Sequence, residues 1–215
     1  MFRPTSLGKL FRVKHRVVLA PLTRQRASEP GLAPRDMHVE YYKQRASEGG
    51  LLISEATHIS PESLAYVSTP GIFTLEQVKA WKKVTDAVHE KKGLIFCQLW
   101  HTGRCAATEN GSFAKHPLVE TYGRVPAVSS SALPIEYPDR RKGGKKLGKT
   151  ATYEGLSKYA PARQLSKSDI GRLVDDYRHA AQNAIQVSRW KDKLLAARKK
   201  FTNQQAHAQR PPPWT

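Results

Sequence analysis

Three short apolar runs, each followed by a helix-forming stretch, set the strongest limit on what this chain can fold into. The first, Val17-Val18-Leu19-Ala20, stops at Pro21, which has no N–H to give a ladder, and the loop Leu22-Thr23-Arg24 follows. Pro34 opens a helix through Arg45, with Met37, Tyr41 and Tyr42 on its inner side. Gly49-Gly50 ends that helix and starts a second strand, Leu51 to Glu55. Thr74 with Gln77 three residues on is a capping box, predicting a helix to about Lys91 with Leu75, Val78, Trp81, Val84 and Val88 near one stripe. Lys91 and Lys92 suit its negative end, and Gly93 supplies the exit into a third strand, Leu94 to Phe96, apolar enough to be buried on both faces. Ser166 with Asp169 begins a last helix, with Ile170, Leu173, Val174, Tyr177, Ala181 and Ala184 at helical spacing. Strand and helix alternate, which predicts an α/β fold on a parallel sheet with right-handed crossovers.

The third strand turns polar where it ends, at Cys97-Gln98-Leu99-Trp100-His101. Alternation sends Gln98 and Trp100 to one face and Cys97, Leu99 and His101 to the other. An amide with a donor and an acceptor edge beside a flat indole, at the carboxyl end of a strand, suits a planar heterocycle. The plainer alternative is that Gln98 caps the strand and Trp100 fills core. Thr23 ends the first strand with a hydroxyl able to sit over a ring, or serves as an ordinary turn residue. Ala56 is small where backbone can approach a ring, or marks tight packing; Tyr66 lines a pocket mouth, or is a surface aromatic. The eight histidines are scattered, and His101 reads as a turn-orienting residue and not a metal ligand.

Residues 105–165 are long and poor in pattern, as a lid or insertion would be. Gly143-Gly144-Lys145-Lys146-Leu147-Gly148-Lys149-Thr150 formally fits a phosphate-binding loop, but no apolar strand precedes it and no helix signal follows, so a solvated basic loop is expected. Asn110-Gly111-Ser112 matches a glycosylation acceptor in a chain without a signal peptide and is read as inert.

Longer words carry a resemblance. Phe96-Cys97-Gln98-Leu99-Trp100-His101-x-Gly103-Arg104, preceded by Thr69-Pro70-Gly71-Ile72-Phe73-Thr74 and Glu76-Gln77-Val78-x-Ala80-Trp81-Lys82, resembles the old yellow enzyme family, in its 12-oxophytodienoate reductase-like branch. Ala20-Pro21-Leu22-Thr23-Arg24, Gly49 to Thr57, Val128 to Ala132, and Arg163-Gln164-Leu165 leading to Tyr177–Ile185 are similar too, in order along the chain. The resemblance implies a TIM (β/α)8 barrel, present here as about three βα units, with residues 1–186 as the N-terminal part of an FMN-binding barrel. It further implies FMN contacts at Pro21, Leu22, Thr23, Ala56 and Gln98, and a substrate cavity bordered by Tyr66 and Trp100. The implied reaction is reduction of FMN by NAD(P)H, then hydride transfer to the β-carbon of an α,β-unsaturated carbonyl compound, a small-molecule enone.

The resemblance also expects, directly after Ile185, a His with a second His or Asn for the substrate carbonyl, a Tyr proton donor, and later an Arg beside the flavin. Residues 187–215 match none of that, so no catalytic residue is assigned and impaired activity is expected. Val187-Ser188, where the match breaks, is the dipeptide that a GTAAGT-type splice donor encodes, and the tail reads as intron translated in frame. An alternative is a basic amphipathic helix, with Trp190, Leu194, Ala197 and Phe201 on one side, in a noncatalytic module binding nucleic acid or anionic membrane. Net charge is +18, of which residues 187–215 carry +6. Such charge suits a phosphate-bearing cofactor and NADPH; no interleaving of aromatic and basic residues favours nucleic acid.

At 215 residues one domain is expected, short of the roughly 250 typical of a whole barrel. Three strands of eight leave sheet edges open to self-association. Cys97 and Cys105 lack metal-ligand spacing, no apolar leader follows the start, and no run reaches membrane-spanning length, so a cytoplasmic protein with reduced thiols is expected.

Overall fold

A parallel sheet forms because the three apolar runs have no hairpin turn between them, only helices long enough to carry the chain back. The computed structural model describes residues 3–9, 11–64, 66–105, 127–132 and 162–188. The Gly143–Thr150 loop, the Asn110 sequon and the tail from 189 lie outside the described residues. The described elements are β1 (Thr5–Leu7), β2 (Phe11–Val13), β3 (Val18–Leu19), α1 (Asp36–Arg45), β4 (Leu51–His58), α2 (Leu75–Glu90), β5 (Leu94–Trp100), β6 (Val128–Ser129), β7 (Arg163–Gln164) and α3 (Lys167–Val187). β3, β4 and β5 form the parallel sheet in that order, as the alternation predicts.

Two pairs of short strands were not legible in the sequence. β1 and β2 make an antiparallel hairpin whose Leu7, Phe11 and Val13 pack on Leu51 and Leu94, the first residues of β4 and β5. The hairpin therefore covers the amino end of the sheet, opposite the end where a barrel binds ligand. β6 and β7 pair in parallel inside the 105–165 region, and the Arg104 guanidinium donates to the hydroxyls of Ser129 (2.9 Å) and Ser131 (3.0 Å).

The helix caps form as the sequence signals them. Gln77 is buried at the start of α2, where its Oε1 accepts from the Phe73 amide (2.8 Å) and the Thr74 amide (3.1 Å), while its own amide N–H donates to Thr74 Oγ1 (3.2 Å). The remaining Gln77 donor, Nε2, goes to the carbonyl of Gly31 at 2.9 Å and ties the loop after β3 to α2. Gly71 has no room for a side chain, since a Cβ there would fall 2.6 Å from the Phe73 ring and 2.7 Å from Gln77 Oε1. Its carbonyl takes the Trp81 indole N–H at 3.0 Å. The core beneath is Tyr42, Leu52, Ile59, Ile72, Val78, Trp81, Val84, Val88 and Ile95, closed from the far side by Ala180 and Val187 of α3.

Several expected burials are corrected. Met37 is exposed and His38 takes the inner place, because His38 Nδ1 reaches back to accept the Arg35 amide (3.0 Å) and so turns inward. Leu75 lies exposed in the first turn of α2, before the stripe reaches the sheet. Phe96 is 38% exposed, not buried on both faces: β5 is the edge of the described sheet, and the Phe96 ring rests edge-on against Phe11 at 5.3 Å. On α3, Ile170, Val174 and Tyr177 remain 51%, 52% and 40% exposed, although the helix starts at Ser166 as expected. Between β5, α2 and α3 lies an apolar cavity of about 300 Å³, lined by Ile95, Cys97, Leu99, Trp81, Ala181 and Ala184 among others.

Candidate active site at the carboxyl ends of the strands

The register of β4 on β5 assembles the site. Ile53 pairs with Phe96, then a bulge intervenes, and pairing resumes with Ala56 opposite Gln98, Thr57 opposite Leu99 and His58 opposite Trp100. Without the extra residue, unbroken alternation would set Glu55 against Gln98. The bulge therefore puts a methyl group beside the amide and sends the carboxyl elsewhere. Its irregular backbone is satisfied by side chains. Ser54 Oγ accepts the Gln98 amide N–H at 3.0 Å and donates to the Glu55 carbonyl at 2.9 Å, and the Glu55 N–H donates to Tyr42 Oη at 2.8 Å.

One face of the sheet then reads, from hairpin to rim, Phe96 on Phe11, Gln98 beside Ala56, and Trp100 stacked on His58 with centroids 5.2 Å apart. Tyr66, from the loop after β4, leans on Trp100 at 5.8 Å. The expected residues thus fall into two neighbouring pairs, Ala56 with Gln98 and Tyr66 with Trp100. Ala56 is buried, and the half-buried Gln98 side-chain amide has no hydrogen-bond partner among the described residues. Pro21, Leu22 and Thr23 lie at the end of β3, with Leu22 51% exposed and Thr23 exposed beside it. An unengaged amide beside a small methyl, with a hydroxyl and an exposed leucine following the neighbouring strand β3, is a set of groups chemically suited to a planar heterocycle such as a flavin ring.

His58 was missed by sequence reasoning. It is wholly buried, with Nδ1 3.3 Å from Ser63 Oγ and its ring under Trp100; burial holds its pKa down at about 3, so it is a neutral platform. Its backbone joins the loop ahead of α2, donating to Pro70 O (2.9 Å) and accepting from Ile72 N (3.0 Å). His101 behaves as expected: Nδ1 accepts the Gly103 amide at 2.9 Å and shapes the turn. No cluster of three metal-ligating side chains occurs among the described residues.

Glu55 was read only as the end of a strand. Its carboxyl is buried, and burial raises its pKa to about 7 against the opposing influence of the Arg24 and Gln25 backbone amides. A single acid inside an apolar run, at Leu51-Leu52-Ile53-Ser54-Glu55, was the available signal.

Parallel strands joined by helices define an α/β protein, and its polar and aromatic groups gather at the strands' carboxyl ends, where βα-barrels place their ligands. The chain belongs to the NADH:flavin oxidoreductase / NADH oxidase family, whose pattern it matches over residues 1–189, slightly past the break read after Gln186. It is 42% identical over 193 residues to 12-oxophytodienoate reductase 7 of Oryza sativa subsp. japonica, covering 87% of this chain and 42% of that protein. To 12-oxophytodienoate reductase 2 of Arabidopsis thaliana it is 40% identical over 187 residues, covering 87% of this chain and 44% of that protein. The solved structure of the old yellow enzyme homologue from Zymomonas mobilis superposes with a TM-score of 0.68 at 40% identity, over 86% of this chain and 45% of that one. The fold class is accordingly that of the TIM barrel, and the chain spans less than half the length of these relatives.

Proposed function

We propose that this chain holds FMN over the carboxyl ends of β3, β4 and β5 and serves an NAD(P)H-dependent reductase of the C=C bond in α,β-unsaturated carbonyl compounds. The observation that carries this reading is the Ala56–Gln98 pairing, which leaves a free amide edge beside a methyl on the face that also bears Trp100. Gln98 would hydrogen-bond the flavin's polar edge, Thr23 would give a hydroxyl near its ring, and Pro21, Leu22 and Ala56 would lie against its apolar face. Tyr66 and Trp100 would border the enone. When bound, the flavin supplies the hydride chemistry.

The family's carbonyl-binding His and His-or-Asn, its Tyr proton donor and its flavin-side Arg have no match in residues 187–215. The chain by itself is therefore proposed to bind FMN weakly and to reduce enones slowly, in a cytoplasmic setting, with self-association through its open sheet edge.

The test is an absorbance spectrum of the gently purified protein with FMN scored per chain. Substoichiometric flavin, raised by added FMN and lowered about tenfold in affinity by Gln98→Leu, is expected. Flavin binding indifferent to Q98L would overturn the assignment of that amide, and tight stoichiometric flavin would overturn the proposed weakness.

A further inference from the structure

The segment Pro21–Thr23 leaves the sheet early, since β3 pairs with β4 only at Val18 and Leu19, and Pro21 has no N–H to extend the ladder. Its next tie to β4 is made by one side chain. The Arg24 backbone N–H donates to Glu55 Oε2 at 2.9 Å, and the Gln25 amide also favours the charged form of that carboxyl. Gln25 follows with φ 51°, a left-handed conformation that a non-glycine residue keeps only when its neighbours are held. Ala27 N–H then donates to the carbonyl of Ser68 at 2.8 Å.

Glu55 is itself set against α1. Its backbone N–H donates to the buried Tyr42 hydroxyl of α1, and its Oε1 faces His38 Nε2, also of α1, at 3.6 Å. Neither Oε1 nor Nε2 has a hydrogen-bond partner. Since His38 Nδ1 accepts the Arg35 amide, the neutral imidazole carries its proton on Nε2, turned to the carboxyl. A cavity of about 70 Å³ between Arg24, Arg26, Met37, His38, Tyr41 and Glu55 lies beside the pair. The Arg24 guanidinium lies over the Tyr41 ring at 5.3 Å, so α1 holds that side chain while Glu55 holds the backbone. A buried carboxyl is costly, and the β4 bulge has placed this one where a loop amide needs an acceptor.

We propose that Glu55 is a positioning residue for the flavin site: by holding the Arg24 amide it keeps Pro21, Leu22 and Thr23 at the strand end occupied by Ala56 and Gln98. This rests on the flavin reading above for its purpose but not for its test. Trypsin cutting after Arg24 and Arg26 and amide hydrogen exchange at Arg24 report the loop directly, with Val84 and Val88 amides of α2 as the folding control. Glu55→Ala and Glu55→Leu are expected to nick at least tenfold faster than wild type and to lose Arg24 protection at least tenfold, with α2 unchanged. Glu55→Gln, which keeps a carbonyl oxygen as acceptor, is expected to restore most of both. Wild-type nicking and Arg24 protection in E55A and E55L would overturn the proposal, as would equal loss at Arg24 and in α2. In wild type, where no substitution disturbs the fold, an Arg24 amide exchanging as fast as an unstructured one also overturns it. FMN titration separates the two readings. Wild-type protein that binds no FMN ends the flavin reading while the exchange data still decide the clamp, and FMN bound equally by wild type and a nicking E55A ends the link between them.

Discussion

At the scale of single residues, two buried titratable groups on β4 oppose one another. Glu55 has its folded pKa raised from 4.5 to about 7 by burial, so its contribution to stability is greatest below pH 4.5 and declines as pH rises through 7. The groups facing it are Arg24 from the loop and His38 and Tyr42 from α1, with Arg26 and Tyr41 across the small cavity. Glu55→Gln removes that decline. Its stability relative to wild type should climb between pH 4.5 and 7 and level off about 3 kcal/mol higher, measured by urea denaturation across pH. A flat difference would mean the carboxyl is ionised in both states. His58 has the reverse sign: with its pKa lowered from 6.5 to about 3, its contribution is full above 6.5 and is lost as pH falls toward 3. His58→Phe, which keeps a ring under Trp100 and removes the titration, should shift the acid-unfolding midpoint followed by circular dichroism to lower pH. Alternation in the sequence placed Gln98 and Trp100 on one face correctly. It could not place Glu55, since a bulge leaves no periodic mark and one inserted residue reverses every later assignment along a strand.

At the scale of elements, helix boundaries were the most legible feature, because a cap is local chemistry. Ser166 and Asp169 satisfy each other's backbone amides at 2.9 and 3.1 Å, just as Thr74 and Gln77 do at the head of α2. Thr74→Ala should cost about 1 kcal/mol in urea denaturation, since it removes the acceptor of the Gln77 amide and leaves Gln77 Oε1 in place. Trp81→Ala should cost more, about 3 to 5 kcal/mol, because it opens a cavity at the centre of the core and leaves the Gly71 carbonyl without its indole donor. The inner faces were read less well than the ends. Periodicity names an apolar stripe but not what it meets, so α3 carries Ile170 and Val174 outward while Ala180 is its most deeply buried residue. The β1–β2 hairpin escaped notice because its two strands are only three residues each, too short to display a period.

At the scale of the whole molecule, α3 and β5, the outer strand of the described sheet, both line the apolar cavity and both keep apolar surface exposed. Ile170, Val174 and Tyr177 recur every three or four residues and form one exposed stripe. Concentration-dependent association is expected by sedimentation velocity, and Ile170→Glu with Val174→Glu should lower it; a species that stays monomeric at every concentration would contradict this. No described helix is long and apolar enough to cross a membrane.

The sequence by itself determined the three strands of the parallel sheet, the helices that follow them, the caps of α2 and α3, and the family to which the chain belongs, because caps, glycine exits and long motif words act over a few neighbouring residues. Only the tertiary structure decided which residues meet: Ala56 opposite Gln98, His58 beneath Trp100, and Glu55 turned away to hold Arg24. Those contacts depend on register across a bulged parallel pair whose strands begin at Leu51 and Leu94, and no interaction within either strand specifies how one is set against the other.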